Sequence, residues 1–395
     1  MKILQRFPVV ATAFALFAML FGSGNIAFPL GLGRNFGDMA IYAMFGFFIT
    51  AALIPIVGVI AMALYRGDYC AFMYRIGYIP GAVVIFICLA LMGPLCVIPR
   101  CIAFSHLALQ WIFPSISLFV YSIAAGIGIF LLTMHKRGVV DLMSIVLGPL
   151  KIVLLSTLIV YGLCTVPTIA PCMFPGWESF QQGLLAGPQT LDLLGVIFFS
   201  GLLFAGIVRD SHGTHRTERQ QLAILIKAGI LGALMLGIMY AGFVLVAARQ
   251  SAATACAGID EAQLLSVLAS IILGAGGGYV ASITMAVACM TTALALTTVF
   301  ASYLSSAKVL RLSYYQALLI TTATATYFAN YGSAGIRQFL APIVIVLYPA
   351  LIILAITNIC YKTWNIDMGK APFYAVLIIS AMVHWIPTLI ACWGS

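Results

Sequence analysis

An aspartate in the middle of an apolar run is the first residue of this chain that could do chemistry. Asp192 follows Gly187-Pro188-Gln189-Thr190-Leu191 and precedes the apolar run from Leu193 to Phe199. A carboxylate near the centre of a membrane helix costs roughly 3 kcal/mol or more, so its presence there suggests a cation partner; the alternative is a helix that starts later, with Asp192 at the interface. A second polar interruption, Gly22-Ser23-Gly24-Asn25, is followed by Pro29 inside another apolar run. Unwound backbone at such breaks exposes N–H groups to a carboxylate and C=O groups to a cation. Asn25 and Thr190 each add a side-chain oxygen of the kind a hard monovalent cation takes together with carbonyls. Asn25 can equally cap the helix that follows it.

Thr291 and Thr292 stand three and four residues after Ala288, which places two hydroxyls and a carbonyl on one side of a helix. Threonine hydroxyls inside membrane helices usually bond their own backbone, and that alternative stays open. Arg100 comes late in an apolar run behind Pro94 and Pro99. It fits an outer gate, and equally an arginine that snorkels to the interface. Lys151 falls in mid-run, where it could pair with a carbonyl or substitute for a bound cation. His212 and His215 have H-x-x-H spacing in a charged loop, but two histidines alone do not make a metal site. Ten cysteines are scattered without C-x-x-C pairs. Cys88, Cys96 and Cys289 sit in apolar helix, where cysteine behaves as a small hydrophobe, so neither a disulfide framework nor a zinc site is expected.

These residues need a bilayer to position them. The chain has 395 residues, 63% hydrophobic and 7% charged, and its mean hydropathy is +1.13. Soluble domains are about 25% charged. A span needs roughly 20 apolar residues, and on that ruler about eleven helices fit. They run over 8–34, 39–65, 79–108, 116–134, 140–164, 176–209, 222–248, 278–304, 313–331, 335–359 and 372–393. The chain is thus expected to be one transmembrane unit over 1–395, with an uncleaved first helix. The uncharged segment 262–307 is too long for one span. Its first part is expected to lie across the outer mouth and to be broken at Gly274, Gly276, Gly277 and Gly278.

Charge sets the expected orientation. With the N-terminus in the cytoplasm, most of the 19 Lys and Arg fall inside, among them Lys2, Arg6, Arg66, Arg75, Lys136, Arg137, Lys308, Lys362 and Lys370. Arg34, Arg100, Lys151, Arg249 and Arg337 are left outside or within the membrane, and Ser395 falls outside. The net charge of +9 is a topology signal and not a nucleic-acid footprint, since no basic face alternates with stacking aromatics. No segment marks an obligate protein partner; the bilayer is the expected one. The breaks at Gly22–Asn25 and Gly187–Asp192 open the first and sixth helices. They occupy corresponding places in two sets of five, as in transporters built from inverted repeats. Repeat one covers 8–165, repeat two 176–360, and 372–393 is an extra helix. A membrane-embedded enzyme is disfavoured, since no G-x-S-x-G, H-E-x-x-H or carboxylate pair lies in a span. A channel is disfavoured because no charge ring or filter loop is visible.

Around these breaks the sequence resembles the bacterial branched-chain amino acid:cation symporter family (LIVCS). The stretches Phe21-Gly22-Ser23-Gly24-Asn25-Ile26-Ala27-Phe28-Pro29, Gly93-Pro94-Leu95-Cys96-Val97-Ile98-Pro99-Arg100 and Gly187-Pro188-Gln189-Thr190-Leu191-Asp192 resemble the family's motifs. So do Ile226-Lys227-Ala228-Gly229 and Tyr348-Pro349, all in the family's order. Family members usually show twelve helices rather than eleven and a tyrosine where Pro188 stands. The resemblance implies a LeuT-like five-plus-five inverted repeat in the bacterial inner membrane. It implies import of leucine, isoleucine and valine, or of another small neutral amino acid such as methionine, with Na+ or H+ as coupling ion and no other cofactor. Gly22, Ser23, Gly24 and Asn25 would then take the substrate carboxylate. Gln189, Thr190 and Asp192 would take its ammonium, and Val97, Ile98, Phe198 and Phe199 would wall its side chain. It also implies a sodium site on the carbonyls of Ala18, Phe21 and Ala288 with the hydroxyls of Thr291 and Thr292. Asn25 and Thr190 would serve a second cation.

Overall fold

The structure is a computed structural model that describes residues 7–134, 146–211, 216–255, 261–306 and 311–393. Lys2, Arg6, Lys136, Arg137, His212, His215, Lys308 and Ser395 lie outside the described residues. The regular elements among the described residues are all helices, with no strand, as hydrocarbon demands when backbone groups have no water to bond.

Span 1 is two helices, α1 (Pro8–Leu20) and α2 (Ser23–Phe36). Only Phe21 and Gly22 leave the helix; Ser23, Gly24 and Asn25 form the first turn of α2, and Pro29 is carried inside it. Span 2 comprises α3 (Ala40–Phe48) and α4 (Ile54–Leu64), joined by a wide π turn. A short α5 (Tyr69–Met73) leads to span 3, α6 (Tyr78–Ala90) and α7 (Val97–Leu109). Span 3 is broken as well, because Gly93 is non-helical (φ −85°, ψ −121°) and Pro94 follows it. Spans 4 and 5 are α8 (Leu118–Thr133) and α9 (Gly148–Cys164).

Span 6 opens the second set with α10 (Gly176–Ala186) and α11 (Asp192–Ser211). Between them lies a 3-10 turn over Gly187–Thr190, and Leu191 turns left-handed at φ 63°. Span 7 is α12 (Glu218–Arg249). After α13 (Ser251–Ala255), the helix α14 (Glu261–Leu273) packs on α2, α7 and α9 at one end of the bundle. Gly274, at φ +76°, separates it from span 8, α15 (Ala275–Ser306). The expected break is therefore confined to Gly274, while Gly276, Gly277 and Gly278 run on as helix. Spans 9 to 11 are α16 (Tyr314–Ala329), α17 (Gly332–Trp364) and α18 (Ala371–Trp393).

Packing exchanges the two sets of five. Span 1 lies on span 7 as span 6 lies on span 2. Span 5 lies on span 7 as span 10 lies on span 2, and span 3 lies on span 9 as span 8 lies on span 4. Spans 3 and 8 pack on each other at the centre. Six helical stretches, from Ser23–Leu64 to Gly335–Trp364, are long and apolar enough to cross a bilayer, and shorter apolar helices complete the set among the described residues. Large apolar side chains such as Val120, Leu131, Ile238 and Ile283 are exposed on the outside of the bundle, where lipid covers them.

Loop contacts sort into two ends. At one end Arg66 pairs with Glu218, and Arg75 with Asp367, at 2.5 and 2.6 Å. The Gly369 N–H and the Arg75 guanidinium hold the Asp367 carboxyl below its usual range. At the other end the Cys172 N–H donates to Asp38, Arg249 donates to the Thr165 carbonyl, and Arg337 pairs with Glu261. Loops of alternate spans thus meet only their own kind in these pairs.

Small residues let the broken span 6 approach span 2. A Cβ on Gly183 would collide with the Ala43 carbonyl, and one on Gly46 with that of Phe180. Such backbone contact is how membrane helices gain packing without a hydrophobic drive between them. Gly183→Val should therefore cost about 1–3 kcal/mol through overpacking, while Gly206→Ala, with nothing within 4 Å of its added Cβ, should be silent. Thermal melting in detergent followed by size-exclusion fluorescence checks this; equal melting of the two variants would contradict the contact.

Candidate functional site

The breaks of spans 1 and 6 meet at the centre of the bundle, and Asp192 sits at their junction. Its side chain is 1% exposed. Leu191 turns left-handed just before it, so Asp192 starts α11 with its carboxylate aimed back at the break. One oxygen accepts from Asn25 Nδ2 at 2.7 Å, the other from the Tyr240 hydroxyl at 2.6 Å. Asn25 Nδ2 also meets the Tyr240 oxygen. Asn25 works at both ends, for its Oδ1 accepts from the Gly22 N–H at 3.1 Å and caps α2. Capping and site roles thus coexist in one side chain. Phe21 stacks on Tyr240 and Phe47 meets it edge-on, which fixes the hydroxyl over the carboxylate. Tyr240 went unnoticed in the sequence; its signal is a lone aromatic hydroxyl in the apolar middle of span 7.

Arg100 is the second pole. It is 3% exposed and does not reach the interface as a snorkelling arginine would. Its Nε donates to Ser23 Oγ at 3.2 Å, and Nη1 approaches the Gln189 carbonyl at 3.5 Å. The break in span 3 at Gly93-Pro94 is what turns α7 so that Arg100 points inward.

Between the poles lies a cavity lined by Met19, Leu20, Met92, Val97, Gly195, Phe199, Thr292 and Leu296, with Gly22 to Asn25, Arg100 and Thr190 to Asp192. Its volume is about 20 Å³, room for roughly one water. The structure is a closed form whose pocket has to open for any larger solute. Of the four expected apolar walls, Val97 and Phe199 line it. Phe198 instead packs edge-on against Tyr69, and Ile98 lies one residue round the helix from the lining. Gln189 contributes its carbonyl and not its side chain, and the Thr190 hydroxyl donates to the Gly187 carbonyl at 2.8 Å.

The expected sodium site looks different once its neighbours are placed. The carbonyls of Ala18, Phe21 and Ala288 do converge, but on Lys151 Nζ, at 2.9, 3.0 and 3.2 Å. Lys151 is 1% exposed. Three donors of one ammonium meet three acceptors, and Na+ cannot share those oxygens at its own short bond lengths. The Thr291 and Thr292 hydroxyls donate to the Ala288 carbonyl at 2.8 and 3.4 Å, so backbone bonding prevails there. These donors do not fit a bound sodium ion. No cluster of His, Cys, Asp and Glu suited to a metal occurs among the described residues.

The chain is similar to known proteins in sequence and in fold. The family model for branched-chain amino acid transport proteins matches residues 5–391. The branched-chain amino acid transport system 3 carrier protein of Pseudomonas aeruginosa is 28% identical over 92% of this chain and 83% of its own. The branched-chain amino acid permease BrnQ of Escherichia coli is 26% identical over 92% and 82%. Among solved structures, the nucleobase-cation-symport-1 transporter Mhp1 in a closed conformation aligns at a TM-score of 0.62 and 11% identity, over 95% of this chain and 91% of its own. MhsT in complex with L-phenylalanine aligns at 0.58 and 14%, over 96% and 98%. These two likenesses concern the fold, which is the LeuT-like five-plus-five repeat with discontinuous spans 1 and 6.

Asp192 and Tyr240 should behave as one unit. Tyr240→Phe removes a donor to a buried charge, a loss of about 1–3 kcal/mol, and should lower the melting temperature. Once Asp192→Asn has removed the charge, the same change should cost much less. Fully additive losses in the double mutant would show that the two groups do not interact.

Proposed function

The chain belongs to the branched-chain amino acid transport protein family, a family of transporters and not enzymes, and from that premise we propose that it imports leucine, isoleucine and valine through the pocket between Arg100 and Asp192, driven by protons. The observation that carries the substrate reading is the pair of opposite charges across one pocket at the two breaks. A neutral α-amino acid is a zwitterion. Its ammonium suits the Gln189–Leu191 backbone and Asp192, and its carboxylate suits the N–H groups of the first turn of α2, which have no intrahelical acceptor. Met19, Leu20, Met92, Val97, Phe199 and Leu296 give the aliphatic side chain an apolar surround. A charged side chain there would be buried unpaired, which supports restriction to neutral substrates.

Lys151 supports the proton reading. Its ammonium ties spans 1, 5 and 8 together through three carbonyls. A lysine ammonium does what a bound cation does at such a site, and it can also lose its proton. Loss of that proton removes the charge that holds the carbonyls. The break of span 1, at Phe21, is then free to move relative to span 8. Proton loss and pocket opening are coupled in this way, with no sodium ion required.

The experiment is uptake of labelled leucine into proteoliposomes under separately imposed gradients. An inward proton gradient should drive accumulation, and an inward sodium gradient at equal pH should not. Lys151→Ala should abolish accumulation but keep leucine exchange. Sodium-driven accumulation by the wild type would overturn the proton assignment, and no uptake or exchange of any branched-chain amino acid would overturn the substrate.

The bias of Lys and Arg supports a cytoplasmic position for the end holding Arg66, Arg75, Lys362 and Lys370, with the N-terminus on the same side. A reporter fused after the last residue of α18 should then be active only outside; a cytoplasmic signal would refute the orientation.

A further inference from the structure

Arg100 is a buried cation whose partners do not match its charge. Arg100 takes no part in the ion pairs Arg66–Glu218, Arg75–Asp367 and Arg337–Glu261. Its acceptors are one hydroxyl, Ser23 Oγ, and one carbonyl at the long distance of 3.5 Å. Among the described residues the only acid lining the same pocket is Asp192, and both of its oxygens already accept from Asn25 and Tyr240. A guanidinium presents five N–H donors in a planar fork. Removing it from water without an anion is expensive, and an arriving anion relieves that cost.

The surroundings of the fork say which anion fits. Nη2 faces the backbone of Gly24, where an added Cβ would lie 2.7 Å away, so a side chain at this position would push the guanidinium aside. The Phe28 ring lies 5.8 Å from the guanidinium carbon and covers another side. What remains open is the cavity, flanked by the first-turn N–H groups of α2, which have no intrahelical acceptor. A small planar anion placed there meets the fork and the helix N-terminus together.

We propose that Arg100 is the binding residue for the substrate α-carboxylate, and not an outer gate. The inference rests on the reading of this pocket as the amino acid site. Two consequences follow for specificity. The carrier recognises a free carboxylate by charge, so leucine is selected over leucinol and leucine methyl ester, which keep the side chain and the ammonium. The ammonium is recognised separately, so 4-methyl-2-oxopentanoate fails for lack of a partner to Asp192.

The test is competition against labelled leucine on purified protein, with leucine, leucinol and leucine methyl ester as competitors. Wild type should prefer leucine over either carboxylate-free analogue by about 100-fold. Arg100→Gln should weaken leucine by a similar factor, leave leucinol nearly unchanged, and so bring the preference to within about threefold. Arg100→Lys keeps the charge but loses the fork, and should retain about a tenth of the preference. A gating or purely structural Arg100 predicts that leucine and leucinol weaken together with their ratio preserved, and that result would overturn the proposal. Equal binding of leucine and leucinol by the wild type would overturn it too, even if Arg100→Gln does not fold. Failure of the wild type to bind leucine at all would instead strike the amino acid reading on which the proposal rests.

Discussion

Hydrocarbon offers no hydrogen bonds, so each polar group this chain carries into the membrane has to be satisfied by the chain itself or by what it transports. That constraint organises the centre of the bundle. Breaking spans 1 and 6 frees backbone groups, and the breaks can persist only because they face each other and share partners. Asn25 closes both accounts at once, capping α2 through Gly22 and donating to Asp192 across the junction. Tyr240 completes the carboxylate from span 7. On the other side of the break, the carbonyls of Ala18 and Phe21 are left by the missing turn, and Lys151 takes them. At the pocket, the group left with few acceptors is the Arg100 guanidinium.

The same constraint connects binding to motion. The closed pocket has room for roughly one water, so substrate entry requires the elements around it to separate. The parts that can separate are those held by few, polar and reversible contacts. Lys151 clasps span 1 to span 8 through three hydrogen bonds, and Gly22 packs against Thr292, with an added Cβ only 2.8 Å from its hydroxyl. The contact of span 6 with span 2 is of another kind, since Gly46 and Gly183 press backbone against backbone. Under the proposed proton coupling, the contact of span 1 with span 8 is the part that opens, and the proton on Lys151 is its control.

Much of this was legible in the residues. Eleven spans, the two breaks, and the depth of Asp192 follow from apolar length, glycine and proline, because these act locally. The exact break in span 1 was shorter than Gly22–Asn25 suggests, since Asn25 caps and so recovers the turn. The third break, in span 3, had its signal in Gly93-Pro94. Other features resist sequence reading for a physical reason. Backbone carbonyls carry no residue identity, so the convergence of Ala18, Phe21 and Ala288 was expected only from the family resemblance, and Lys151, expected to bond a carbonyl or stand in for a cation, could not be assigned to those three without the fold. Thr291 and Thr292 at i+3 and i+4 from Ala288 look the same whether their hydroxyls face an ion or their own helix. Phe198 and Phe199 are adjacent, and only the rotation of α11 decides which one lines the pocket.

In the proposed function one pocket holds a zwitterion between Arg100 and Asp192, and Lys151 stands where a sodium ion was expected. A structure of the purified protein with leucine bound, determined in sodium-containing buffer, tests it most directly. The account predicts the leucine carboxylate within hydrogen-bonding distance of Arg100 and the start of α2, and its ammonium at the Gln189–Leu191 backbone and Asp192. No sodium density should lie between Ala18, Phe21 and Ala288. Leucine bound elsewhere or with its poles reversed, or a sodium ion on those three carbonyls with Lys151 displaced, would contradict it.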